Sequence, residues 1–286
     1  MKIKQSMASR VFDTFNYVIM ILLMIVMVYP LVYVFSASIS DNALVSSGDV
    51  LIFPKGVTFI AYKQLVSNPD LWISYWNTIR YTIVHVILTL LVTSAMAYPL
   101  AKKWLPGRRI ILMMAAFTLL FSGGMIPTFL VVQKLGMLNS IWAIVLPSLI
   151  STWYLFIMRT FFEALPEELE DAATIDGCSS LQVLLRIVIP LSMPVLATIG
   201  LFTAVNQWNA FFDALIYLND RSMYPLQIML RNILVAGTTI QAEGDLSLLQ
   251  TMKYAIIMIA TLPILCVYPF IQKYFVQGTM IGGIKG

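Results

Sequence analysis

Six stretches of the chain run without a single Asp, Glu, Lys or Arg: 14–40, 81–101, 110–133, 135–158, 187–212 and 254–272. Each is about as long as the roughly 20 residues that carry a helix across the hydrocarbon core of a bilayer. None shows the alternation over about ten residues that marks a membrane β-strand. The pattern predicts an all-α integral membrane protein with six transmembrane helices, in a single domain covering residues 1–286. The second helix is expected to begin near residue 75. The fourth is expected to begin near 138, after a tight hairpin in which Gly136 and Asn139 supply the turn. Residues 232–242 are also uncharged, but they number only 11 and include Gly237, so they stay outside the count.

Composition agrees with a lipid environment. Hydrophobic residues make up 59% of the 286 and charged residues 11%, against about 25% charged in soluble domains. The net charge of +4 reads as orientation rather than nucleic-acid binding, because cytoplasmic connections collect Lys and Arg. With the N-terminus inside, eleven basic residues fall on the inner side and seven on the outer, which predicts that both termini are cytoplasmic. The first apolar run is about 27 residues long, longer than the 7–15 of a signal peptide, and is expected to remain as an anchor. His85 is the one histidine, which excludes a multi-histidine metal site. Cys178 and Cys266 fall in different compartments, which argues against a disulfide. No G-x-x-x-x-G-K-[ST] loop occurs, so energised work would need a nucleotide-binding partner.

The inner connection 159–190 differs from the others in being acidic, with Glu163, Glu167, Glu168, Glu170, Asp171 and Asp176. Pro166 suits the start of a helix, and the following glutamates complement its positive end. Leu165, Leu169, Ala172 and Ala173 recur at helical spacing and predict one apolar edge. Gly177 is placed to end that helix in a left-handed turn. Ser179 with Gln182 has the spacing of a capping box and predicts a second helix over 181–189. Pro190 and Pro194 then bend the chain into the fifth span. A helix, a glycine turn and a second helix make a compact knob: a solvated acidic connection on one reading, a docking element on another.

The run Asp171-Ala-Ala173, three residues, Gly177, nine residues, Ile187-Val-Ile-Pro190 resembles the E-A-A motif of ABC-importer permeases. Asp171 stands where the family has glutamate and Ile189 where it has leucine; both keep the physical type. The six-span layout, Pro166-Glu-Glu-Leu-Glu-Asp-Ala-Ala and the ending Gly278-Thr-Met-Ile-Gly-Gly-Ile-Lys-Gly286 extend the likeness to the carbohydrate-importer branch, near the smaller permease of the maltose importer. The resemblance implies a type I permease fold in the cytoplasmic membrane of a prokaryote. It implies a second permease (a heterodimer), an ATPase dimer and an extracytoplasmic solute-binding protein as partners, and an oligosaccharide as solute. ATP and Mg would sit on the ATPase, with no cofactor and no catalysis in this chain. By the same resemblance Glu167, Glu168, Glu170, Asp171, Ala172, Ala173, Gly177, Ile187 and Pro190 couple to the ATPase. Gly282, Gly283 and Lys285 of the tail would reach into the ATPase interface.

Asn206, Trp208, Asn209 and Phe212 are candidates for the solute pathway, because amides in a lipid-embedded helix face the bundle interior or a wet cavity. Amides and aromatic faces together also suit a hydroxyl-rich ring. Interfacial anchoring accounts equally well for the same residues. Two other functions fit the composition. A secondary transporter would need His85 as its coupling group, and an intramembrane serine protease would have to bring Ser122 to His85.

Overall fold

A computed structural model describes residues 7–236 and 250–267, and among these there are helices but no strands. The chain divides into two units, Met1–Pro69 with Leu230–Leu262, and Asp70–Met229 with Pro263–Gly286.

The first unit is dominated by the 32-residue helix Met7–Ser38. Its large apolar side chains, from Val11 through Phe15 and Met20 to Tyr29, are exposed, as expected of a helix whose solvent is lipid. Polar order begins at its end. Ser36, Ser38 and Ser40 are buried, Ser38 and Tyr62 share a hydrogen bond of 2.8 Å, and Asp41 caps the short helix Asn42–Ser46. Ala37, Val45 and Val50 form a small core beside Leu44 and Tyr254.

The second unit is built on the helix Pro69–Ala101. Near its start it is stitched to the 222–226 loop: Asn77 donates to the Ser222 carbonyl at 2.7 Å, Tyr81 to that of Met223 at 2.8 Å, and Thr78 accepts from the Leu226 N–H at 2.8 Å. The opposite end of the same helix contributes Ala97, Leu100 and Ala101 to the main core. There they meet Leu155, Met158 and Phe162, then Val183, Leu184 and Val188, and finally Val195 and Ile199.

The charge-free stretches are not all single straight helices. Among the described residues three helices are long and apolar enough to cross alone, the third being Gln250–Val267; the rest of the 254–272 stretch lies outside the described residues. The 110–133 stretch is a pair, Arg108–Leu120 and Met125–Lys134, bent by 114°. Gly124 takes a φ of +83° at that break, and Pro127 follows; glycine pairs and proline are the usual causes of so sharp a turn. The 135–158 stretch is not one helix either. It runs as Ile141–Val145 and Thr152–Glu163, with residues 146–151 unwound around Pro147, which lacks the N–H a helix needs. The fifth stretch bends by 81° between Ser180–Leu191 and Met193–Asn209. Pro194 sits in the first turn of the latter, and a π-helical turn, Leu184–Val188, precedes Pro190.

Candidate docking face and membrane cavity

The acidic connection folds as its spacing predicts. Glu167–Ile175 is a helix with three glutamates in its first turn. It ends at Gly177, whose φ is +82°. The Cys178 N–H reaches back to the Ala173 carbonyl at 2.9 Å and that of Gly177 to Thr174 at 3.0 Å, the paired bonds of a Schellman turn. Ser179 and Gln182 close a full capping box at the start of Ser180–Leu191.

The nine residues expected to couple divide between surface and interior, and the apolar edge read from the sequence is split, Leu165 and Ala173 packing in the main core while Leu169 and Ala172 are exposed. Glu167, Glu168, Asp171, Ala172, Gly177 and Pro190 are exposed. Ala173 is buried in the main core, and Ile187 packs against that core. Glu170 turns inward as well: Lys102 pairs with its carboxylate and Tyr98 donates to it at 3.0 Å. A second charged cluster lies alongside, where Glu163 pairs with Arg159 and, at 2.9 Å, with Arg108. Both arginines also donate through Nε to the Leu100 carbonyl, at 2.9 Å from Arg108 and 3.3 Å from Arg159. The knob is therefore riveted to the ends of its own spans while presenting Leu169, Ile175, Leu181 and Leu185 as exposed apolar groups. An apolar surface set among carboxylates suits burial against another chain. The tail residues Gly282, Gly283 and Lys285 lie outside the described residues.

The four solute-pathway candidates separate. Asn206 lines a polar cavity of 240 Å³ in the second unit, together with Thr203, Gln207 and Asp213. His85 and Thr89 enter that cavity from Pro69–Ala101, and Ser148, Ser151 and Tyr154 from the broken fourth stretch and the helix after it. Asn206 donates to the Tyr154 hydroxyl at 3.1 Å. Trp208 is buried, stands edge-on to Tyr75 with ring centroids 5.8 Å apart, and lines a separate apolar cavity of 510 Å³ with Ile79, Phe202 and Ile264. Asn209 is exposed and donates to the Val205 carbonyl at 2.8 Å. Phe212 is exposed beside Phe211. The amides Asn206 and Gln207 were legible as a polar pair in a lipid-embedded helix, whereas the sequence reading missed Thr89, Ser148, Ser151, Tyr154, Thr203 and Asp213 as their companions. The pair His85 and Thr89, one turn apart in the charge-free 81–101 stretch, was the available signal. Burial pushes the Asp213 carboxyl above its ordinary value, and the nearby His85 opposes that shift. Ser122 is exposed in the break of the third stretch and is not among the side chains lining the cavity around His85.

Residues 104–281 match the family described as binding-protein-dependent transport system inner membrane component. Over 98% of its length the chain is 44% identical to protein LplC of Bacillus subtilis (strain 168), 96% of which is covered. It is 39% identical to the polygalacturonan/rhamnogalacturonan transport system permease protein YtcP of the same strain, across 98% of this chain and 100% of that protein. A solved chain from a bacterial ABC transporter involved in the import of the acidic polysaccharide alginate is similar at a TM-score of 0.90 and 35% identity. That match covers 96% of this chain and 100% of the other. A helix, a left-handed glycine turn and a capped second helix on a bundle of apolar spans thus accompany similarity along nearly the whole sequence, and the chain belongs to the binding-protein-dependent transport system inner membrane components.

Proposed function

We propose that this chain is one of two permeases in an ATP-driven importer of oligosaccharides, uronate-containing ones foremost. The family works in ABC importers, whose permeases are not themselves enzymes. The observation that carries the proposal is the exposed acidic and apolar face around Gly177, held rigidly by Glu170 and Ala173. That face fits a groove on a separate ATPase dimer, which binds ATP and Mg. An external binding protein delivers the solute, and the second permease, a different chain, completes the pathway. Both termini are cytoplasmic, and the tail residues Gly282, Gly283 and Lys285 meet the ATPase interface. Two of the relatives support an acidic solute, since one is named for polygalacturonan and rhamnogalacturonan and the other for alginate.

The test is uptake by the importer purified through a tag on this chain and reconstituted in liposomes with its binding protein. Trigalacturonate and maltotriose serve as probes. ATP-dependent accumulation of trigalacturonate above maltotriose is expected. Accumulation that persists without the ATPase would overturn the coupling, and preference for maltotriose would overturn the acidic solute.

A further inference from the structure

The polar cavity has more hydrogen-bonding capacity than the fold uses. Thr203 Oγ1 and His85 Nδ1 are buried without a hydrogen bond of good geometry, in residues only 4% and 5% exposed, with Tyr154 beside the first and Gln207 and the Ser148 backbone beside the second. A buried polar atom left unsatisfied costs about 1–3 kcal/mol, so two such weakly held atoms beside one cavity favour a polar occupant. His85 is also the midpoint of its 33-residue helix, 16 residues from either end, or about 24 Å at 1.5 Å per residue. The unwound 146–151 segment contributes Ser148 and Ser151 to the lining. Non-helical backbone at membrane depth is tolerated only where it is buried in protein or borders a wet cavity.

The lining chemistry narrows the occupant. Asn206 and Gln207 each offer donors and an acceptor, the Ser, Thr and Tyr hydroxyls offer both, and the Asp213 carboxylate accepts two hydroxyls at once. Among the described residues, no Lys or Arg lines the space. That set matches adjacent ring hydroxyls and not an anionic group, which Asp213 would repel. At 240 Å³ the cavity is smaller than the roughly 300–1,000 Å³ of sites for drug-sized ligands, which limits it to one ring.

We infer that this cavity is a subsite for a single glycosyl unit, held by its vicinal hydroxyls against Asp213, Thr203 and Asn206 with any carboxylate turned outward. The inference rests on the carbohydrate reading above and deepens it: this permease itself contacts the solute.

The experiment uses the reconstituted importer with loaded binding protein and a chain in which Cys178→Ser and Cys266→Ser leave no native thiol. Asn206→Cys is then modified with a methanethiosulfonate reagent, with the ATPase trapped by vanadate, with and without trigalacturonate. At least fivefold slower modification in the presence of the sugar is expected. Ser148→Cys, a one-atom change on the unwound segment, repeats the measurement where Asn206→Cys does not assemble. Thr203→Val keeps the shape and removes the hydroxyl, and it is expected to lower trigalacturonate uptake about tenfold. Unchanged modification rates, or wild-type uptake by Thr203→Val, would overturn the subsite while the importer still transports. Equal protection of an Ile79→Cys reporter in the apolar cavity would assign the effect to a global change of shape and overturn it too. If the unsubstituted importer takes up neither trigalacturonate nor maltotriose, the carbohydrate reading fails and the subsite with it.

Discussion

Tyr98 Oη donates to Glu170 Oε2 at 3.0 Å, joining the end of one transmembrane helix to the acidic helix of the 159–190 connection. Lys102, one turn further on, pairs with the same carboxylate and lies 4.8 Å from the centre of the Tyr98 ring. Displacement of the acidic helix must therefore pull on the Pro69–Ala101 helix. Glu170 is tied within the chain, whereas its neighbours Glu168 and Asp171 face outward.

Removing Glu170 is expected to harm stability more than removing the tyrosine hydroxyl. Tyr98→Phe leaves the Lys102 pair intact and should cost about 1 kcal/mol, whereas Glu170→Ala strands a half-buried ammonium and should cost about 1.5–3 kcal/mol. Thermal unfolding of the purified importer measures both. Equal midpoints for the two variants would show that Lys102 finds another partner at no cost.

Gly177 is expected to be sensitive to backbone preference and not to size. A Cβ there would meet nothing within 4 Å, so Gly177→Val suffers only the strain of φ +82°, about 1–3 kcal/mol. Asn adopts the left-handed region far more readily. Gly177→Asn should keep uptake near the wild-type level while Gly177→Val loses it, with both inserted normally. Uptake assays beside a pull-down of the ATPase check this, and loss in both variants would point to side-chain volume instead.

Trp208 and Asn206 are expected to fail in different ways. Trp208→Ala empties a buried aromatic site and should destabilise the protein by about 3–5 kcal/mol, with Trp208→Phe recovering most of it. Asn206→Ala removes an exposed amide bonded to Tyr154 and should lower uptake severalfold at nearly unchanged thermal stability. The measurement is uptake per folded importer, with the unfolding midpoint recorded for each variant.

Topology gives an independent check. Reporter tags at Gly286 and between Pro106 and Arg108 should respond as cytoplasmic, and a tag at Asp49 as external. An external signal from either of the first two would invert the orientation assigned to the acidic connection.

The membrane class, the acidic helix, the glycine turn and the capping box were legible because each is a local pattern. Gly177 needs only its own φ, and Ser179 with Gln182 only a three-residue spacing. The break of the third stretch was legible too, in Ser122-Gly-Gly124 and Pro127, whereas the unwinding around Pro147 was not, because charge-free length is blind to a proline that breaks a helix without adding charge. The orientation of Glu170 was hidden because its partners Tyr98 and Lys102 lie 72 and 68 residues away. The cavity was hidden for the same reason: its lining gathers His85, the 146–151 segment and Asp213 from separate parts of the sequence. Asn206 and Trp208, two residues apart, turn to different cavities.

Ionic strength should act unequally on the two sets of carboxylates in the knob. The reach of an exposed charge shrinks from about 8 Å at 0.15 M salt to about 3 Å at 1 M, which weakens whatever Glu167, Glu168 and Asp171 attract. The ion pairs of Glu163 and Glu170 are formed by side chains only 16% to 26% exposed, and water and salt screen them far less. If the knob docks as proposed on the cytoplasmic side, a cell that concentrates its cytosol during osmotic stress would thus loosen its hold on an oppositely charged surface while leaving its stiffness intact.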